Sequence, residues 1–472
     1  MTTTATTEKQ THKLSVLEKV GFGAGDMSVN VMIAAMFFFM QYFYTDIFGL
    51  KPAHVGILFL AARFVDAFSD PLMGLITDKF KSRYGRFRQY FLFLSVPYGF
   101  AIFLLFTTPD VSYNMKLVWA YSTYLFATLM FTGVAIPYIS YIGVLTADPK
   151  ERLSANGYRM FFAKIANWVI ISSIPALASM WGNGDPAKGY QLAMALMSFV
   201  GVLLLLFCFF STRERVEHVV DKKPLSEQFK LLLKNDQWLV LAACCVFGTL
   251  GYAMRGGVAL YYAIYFLGAS EIVAGQFVGA GIVASIASMV ASTWITKRYC
   301  KVQLFRWSQL LVMLISVAIF VLVSPGDIWL AFVLYILLCF VVDLHAPVFW
   351  SAIAEVVDYG EFKNGKRVSG LAFGGISFCQ KAGMGIAGFI TGLLLTYYGY
   401  EAGQAQSEFT VTGIALMLTV FPGVFHALMG LVMFKYKITN DFYIDMQAQQ
   451  GKTDIRSSKS GLSEEYLNEQ PL

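Results

Sequence analysis

Apolar stretches of membrane-crossing length recur twelve times along this chain, and that recurrence leaves it one solvent. They run over 21–45, 52–78, 89–108, 116–144, 154–181 and 189–212, then over 238–267, 272–296, 304–324, 328–357, 369–397 and 411–435. About twenty apolar residues carry a helix through the hydrocarbon of a bilayer, where each backbone polar group must be satisfied within the helix itself. Only 14% of the 472 residues are charged, against about a quarter in a water-soluble domain. The expectation is an all-α polytopic membrane protein of twelve transmembrane helices.

The basic residues give an orientation. Of 36 Lys and Arg, 28 fall in the N-terminal segment, in alternate loops with the span ends beside them, and in the C-terminal tail. The opposite loops hold only Lys51, Lys116 and Lys188. The positive-inside rule then puts both termini in the cytoplasm. The net charge of +6 is a by-product of this bias and argues for no nucleic-acid partner. "MTTTATTEKQTHKLS" has no apolar core ahead of a cleavage site, so the first span is expected to serve as its own targeting signal. Six cysteines lie in or beside spans without a CxxC spacing, which suits small apolar residues better than metal ligands.

The longest internal polar loop, 213–237, divides the chain into a bundle over 1–212 and a second over 238–435, followed by a polar cytoplasmic tail over 436–472. Six spans plus six suggest two bundles that rock against each other. "DKFKSRYGRFRQ" after the second span and "KRYCKVQLFR" after the eighth are basic loops at equivalent places. This organisation resembles the major facilitator superfamily, whose loop signature "GLITDKFKSRYGRFR" matches. The resemblance implies close helix packing at Gly74 and pairing of Asp78 with loop arginines such as Arg86.

Charge inside a span costs a few kcal/mol or more and calls for a partner. In "ARFVDAFSDP", Arg63, Asp66 and Asp70 form one stripe on a helix. Two carboxylates one turn apart repel when both are ionised, which invites a cation or a shared proton. Neutralisation by Arg63 is the structural alternative, although one arginine cannot balance two carboxylates.

Along nearly its whole length the chain is similar to the glycoside–pentoside–hexuronide:cation symporters, the melibiose permease family. The matching pieces are "GFGAGD" with Asp26, "YTDIFGL", "ARFVDAFSDP", "AIPY", "KNDQW", "EVVDYGEF" and a lysine within the eleventh span. The resemblance implies a cation site of Asp66, Asp70 and Thr132, faced by Lys381. Ala135 stands where the sodium-using melibiose type has a further acid. Hard cations want several oxygens, so H+ is expected over Na+ as the coupling ion, with no other cofactor and no metal centre. Arg159 matches a substrate-binding arginine, and Asn30, one turn after Asp26, replaces a sugar-binding aspartate. Ile139 replaces a pocket tryptophan. Arg255, beside two glycines, and Trp350, whose ring could stack on a sugar, complete the expected substrate set. Asp358 and Glu361 join Gly74, Asp78 and Arg86 in an expected cytoplasmic gating network.

The expected function is secondary transport of a sugar, glycoside or sugar acid by a monomer in the bacterial inner membrane. Two alternatives stand beside it: a carrier or exporter of a small organic anion such as a hexuronide or sulfonated sugar, and a lysolipid transporter. The chain has no HExxH, GxSxG or Walker loop that would suggest an enzyme.

Overall fold

The computed structural model describes residues 13–146, 148–216, 225–366 and 368–449. Among these, ten helical stretches are long and apolar enough to cross a membrane, from Val16–Ile47 to Glu408–Lys435. The other two expected spans are also helical. Pro52–Lys79 carries the charged stripe among its apolar residues, and the third span is divided into Arg88–Phe93 and Ser95–Leu105. The tenth is likewise broken, into Ile328–Asp343 and Ala346–Asn364, with a proline opening the second piece. Two segments expected to be polar and irregular contain short helices, Leu225–Leu233 and Asn440–Gln449. The ends of the chain, 1–12 and 450–472, lie outside the described residues.

The helices gather into two compact units. One takes the chain up to Asp221 together with Ala259–Ile282 and Gly388–Val411; the other takes Lys222–Val258, Val283–Ala387 and Thr412–Leu472. In the first, Val16–Ala34 packs along Pro149–Gly182 and Pro186–Ser211. The glycines of "GFGAGD" permit this. A Cβ on Gly23 would stand 2.6 Å from the Phe162 ring, and one on Gly25 would stand 2.6 Å from the Tyr138 ring and 2.9 Å from Cys208 Sγ. Tyr138 stacks on Phe22 at 5.0 Å and donates to its carbonyl at 2.6 Å. Gly25→Ala is therefore expected to lower stability by about 1–3 kcal/mol through overpacking. The fall in thermal midpoint of the purified protein measures it, and an unchanged midpoint would show that Tyr138 swings aside freely.

The second unit has its own core around Trp238, Phe305, Ile353, Ile376 and Met429. Here the "KNDQW" and "EVVDYGEF" segments meet. Asn235 Oδ1 accepts from the Trp238 amide at 3.0 Å, and its Nδ2 donates to the Val356 carbonyl at 2.7 Å. Asp236 takes Lys363 at 2.6 Å and the Tyr359 hydroxyl at 3.2 Å. Both sequence signatures thus tie one helix start to one helix end.

Candidate functional site

Pro52–Lys79 places Arg63, Asp66 and Asp70 on one face, and the neighbouring span Tyr113–Leu145 brings Thr132 to it. The Arg63 guanidinium lies 2.9 Å from Asp66 Oδ2, and the Asp66 side chain is only 5% exposed. Thr132 Oγ1 donates to Asp70 Oδ1 at 2.8 Å, with Ser69 Oγ 3.4 Å from the same hydroxyl. The two carboxylates thus have different neighbours: Asp66 pairs with Arg63, and Asp70 accepts from Thr132.

A second cluster lies within the same unit. Asn30 Nδ2 donates to the Asp26 carbonyl at 2.9 Å and approaches Asp26 Oδ2 at 3.4 Å. Arg159 Nε stands 3.9 Å from that oxygen, and about a quarter of the Arg159 side chain remains exposed. Arg159, far away in sequence, converges on Asp26 and Asn30 because the glycine face of the first span lets Pro149–Gly182 come close. The cluster combines a planar cationic fork, an amide and a carboxylate, a donor and acceptor set suited to hydroxyls and to one anionic group.

The other expected residues are placed elsewhere. Lys381, Arg255 and Trp350 belong to the second unit. Arg255 is 4% exposed, donates from Nε to the Leu418 carbonyl at 3.4 Å, and leaves its buried Nη2 without a hydrogen-bond partner among the described residues. Glu355 pairs with Lys301, because the basic loop after the eighth span lies beside that helix end. Trp350 is 40% exposed and meets Phe349 edge to face at 5.7 Å. Asp358 accepts from the Tyr443 hydroxyl of the C-terminal helix, and Glu361 lies one turn further along Ala346–Asn364.

The loop signature is built differently from its expectation. A Cβ on Gly74 would meet nothing within 4 Å, so the close packing expected there is absent: this turn of the helix faces open space rather than a neighbouring helix. The Asp78 side chain lies outside the described residues. Arg86 donates from Nη1 to the Thr77 carbonyl at 3.3 Å. The acid that gathers the loop is Glu214, which the sequence reading passed over. Its carboxylate accepts the backbone amides of Arg86, Phe87 and Arg88 at 2.9, 2.7 and 3.1 Å. Gly85, at φ 115°, leaves room for it. An acid at the start of a helix, next to a glycine in a conformation few other residues adopt, is a familiar arrangement. The signal was nevertheless hidden, because 128 residues separate Glu214 from Arg86. Nearby, the Lys19 ammonium, 2.9 Å away, and the Leu14 amide hold the Glu151 carboxyl below its usual range.

Residues 21–440 match the family described as MFS/sugar transport protein. The chain belongs to that family. Within it, the chain is 37% identical over 431 residues to the putative glycoside/cation symporter YagG of Escherichia coli K12, covering 91% of this chain and 93% of the relative. It is 35% identical over 424 residues to the inner membrane symporter YicJ of the same organism, covering 90% and 92%. The isoprimeverose transporter of Lactiplantibacillus pentosus is 32% identical over 433 residues, covering 89% and 88%. Among solved structures, the D-xylose–proton symporter aligns with a TM-score of 0.62 at 13% identity, covering 90% of this chain and 97% of that one, which places this MFS/sugar transport protein in the same fold. The resemblance to glycoside–pentoside–hexuronide:cation symporters is thereby upheld, and the protein is a transporter rather than an enzyme.

Proposed function

We propose that this protein is a secondary symporter that moves a sugar or glycoside across the bacterial inner membrane together with a proton. The observation that carries the reading is the Asp70–Thr132 hydrogen bond beside the Arg63–Asp66 ion pair, within the same unit as the Asp26–Asn30–Arg159 cluster. One cluster is suited to the coupling ion and the other to the substrate. The glycoside/cation symporter and the isoprimeverose transporter among its relatives support both halves of this assignment.

A proton is favoured over sodium on chemical grounds. Asp66 is already neutralised by Arg63, and Ala135 supplies no oxygen, so a sodium ion would find few hard ligands around Asp70. A proton needs only one basic oxygen. Lys381 serves in the second half as the competing cation, Asp358 and Glu361 act with Arg86 at the cytoplasmic side, and both termini are cytoplasmic. The unit of transport is a monomer.

A sugar acid is the second reading, favoured by one observation: Arg255 Nη2 is buried without a partner among the described residues. A carboxylate or sulfonate would satisfy it through charge-assisted hydrogen bonds.

Uptake into right-side-out vesicles tests both, with proton and sodium gradients imposed separately on a panel of labelled neutral glycosides and sugar acids. The expected result is accumulation of a glycoside driven by the proton gradient, with sodium at fixed pH having little effect. Sodium stimulation equal to that of the proton gradient would overturn the choice of ion. Failure of every sugar in the panel to accumulate would overturn the substrate class.

A further inference from the structure

The first helix of each half ends in the same way. In one, the Phe48 amide reaches back to the Phe43 carbonyl at 2.9 Å and the Leu50 amide to the Tyr44 carbonyl at 2.8 Å. In the other, the Leu267 amide reaches the Tyr262 carbonyl and the Ala269 amide the Ala263 carbonyl, both at 3.0 Å. Each helix widens into a π turn, over Phe43–Ile47 and Tyr262–Phe266, and closes on a left-handed glycine, Gly49 at φ 77° and Gly268 at φ 65°. "FYTDIFGL" over 43–50 therefore matches "YAIYFLGA" over 262–269 position for position, and Asp46 and Tyr265 occupy the same place in the two halves.

These two equivalent residues meet. The Tyr265 hydroxyl donates to Asp46 Oδ1, and so does the hydroxyl of Tyr400, which follows Gly370–Tyr397. Thr45 Oγ1 lies 2.6 Å from Asp46 Oδ2 and 2.6 Å from the Tyr261 hydroxyl. An ionised carboxylate only accepts, so Tyr261 donates to Thr45 and Thr45 to Asp46. A second acid, Glu271, accepts from Tyr42 and Tyr190, each at 3.2 Å. Close helix approaches occur at the same end. A Cβ on Gly392 would stand 2.4 Å from the Pro52 carbonyl, and one on Gly275 would stand 2.9 Å from the Ile171 carbonyl. All these groups belong to one compact unit and lie at the end of the first span away from its start.

We propose that Asp46 and Tyr265 are the two halves of a latch that holds the transport path shut on the membrane face opposite the termini, with Tyr400 as its second catch. Internal repeats that rock about a shared site must part on each face in turn. A bond between symmetry-equivalent residues at the end of the paired first helices lies across that parting line. On opening, the Asp46 carboxylate exchanges its tyrosine donors for water. Each lost hydroxyl then shifts the balance between closed and open by about tenfold.

The test needs no substrate, so its outcome does not depend on which sugar is carried. Gln41, one turn before Thr45 and 2% exposed, is replaced as a reporter, Gln41→Cys. A membrane-impermeant maleimide is applied from the face opposite the termini, and labelling above the parent background is timed. Where Gln41→Cys does not assemble, Ala263→Cys, fully buried on the other half, takes its place. Tyr265→Phe is expected to speed labelling about tenfold, Asp46→Ala, which removes the acceptor of all three hydroxyls, at least as much, and Tyr400→Phe to act in the same direction. The Asp46→Ala/Tyr265→Phe double variant should label no faster than Asp46→Ala alone, since the alanine has already removed the acceptor of the Tyr265 hydroxyl. Unchanged rates in both single variants, or a double variant whose effect is the product of the two, would overturn the latch.

Discussion

Asp70→Asn is expected to bring concentrative uptake down to the level of vesicles that lack the transporter, while the protein keeps its stability. The asparagine carbonyl still accepts from Thr132, which now donates to Asp70 Oδ1 at 2.8 Å, so the packing of the second and fourth spans has no reason to change. What is lost is the one charge that takes up a proton. Asp66→Asn should also abolish accumulation, but at a structural cost, because it strips Arg63 of the carboxylate 2.9 Å away. With Asp66 nearly buried and Arg63 partly exposed, that loss should be on the order of 2 kcal/mol, between the values for surface and buried pairs. Adding Arg63→Gln to Asp66→Asn should restore the thermal midpoint without restoring accumulation. That split between stability and transport distinguishes a coupling site from a structural ion pair. Accumulation against a gradient by Asp70→Asn would remove Asp70 from the coupling site.

Arg159→Lys is the second large effect. The guanidinium stands 3.9 Å from Asp26 and beside Asn30, with part of its side chain exposed, so it has donors to spare for a ligand. Lysine keeps the charge but presents a point rather than a planar fork. Substrate affinity should fall about 10- to 100-fold, the equivalent of one or two charge-assisted hydrogen bonds at roughly 1.4 kcal/mol for each tenfold step. Equilibrium binding to the purified protein measures this directly, and the thermal midpoint should hardly move. The same assay bears on substrate charge: sugar acids that displace the ligand better than their neutral counterparts would assign a paired anion to Arg159 or Arg255. Unchanged affinity in Arg159→Lys would remove the arginine from the substrate cluster.

Some of this arrangement was legible from local pattern. The stripe of Arg63, Asp66 and Asp70 needed only helical spacing, and the structure places its members on one helix with Thr132 in contact. Arg159 was marked as a substrate-binding arginine by family resemblance; its approach to Asp26 was not, and Gly23 opposite Phe162 explains how the two spans come so near. The role of Glu214 was not legible, because its three amide partners lie more than a hundred residues upstream and nothing about an isolated acid in a polar loop announces them. The same holds for Asp46: "YTDIFGL" marks the motif, but the tyrosines that hold it come from the seventh span and from the loop after the eleventh. Gly74 shows the converse error. Its residue type suggested a close contact, and the helix turns that position into open space.

The solvent, the helical fold and the identity of the ionisable groups inside the spans can all be read from the order of residues alone. Those follow from length, hydropathy and spacing, which act within single helices and are set by the cost of leaving backbone or charge unsatisfied in hydrocarbon. The folded chain alone decides which acid takes Arg63 and which accepts from Thr132, and which carboxylate gathers the loop signature. It also decides that two equivalent turns meet through Asp46 and Tyr265. Each of these choices is a contact between residues far apart in the chain. Helices in a bilayer associate through close packing and a few interhelical hydrogen bonds, so partnership is settled by which surfaces fit, and no periodicity within one helix encodes that.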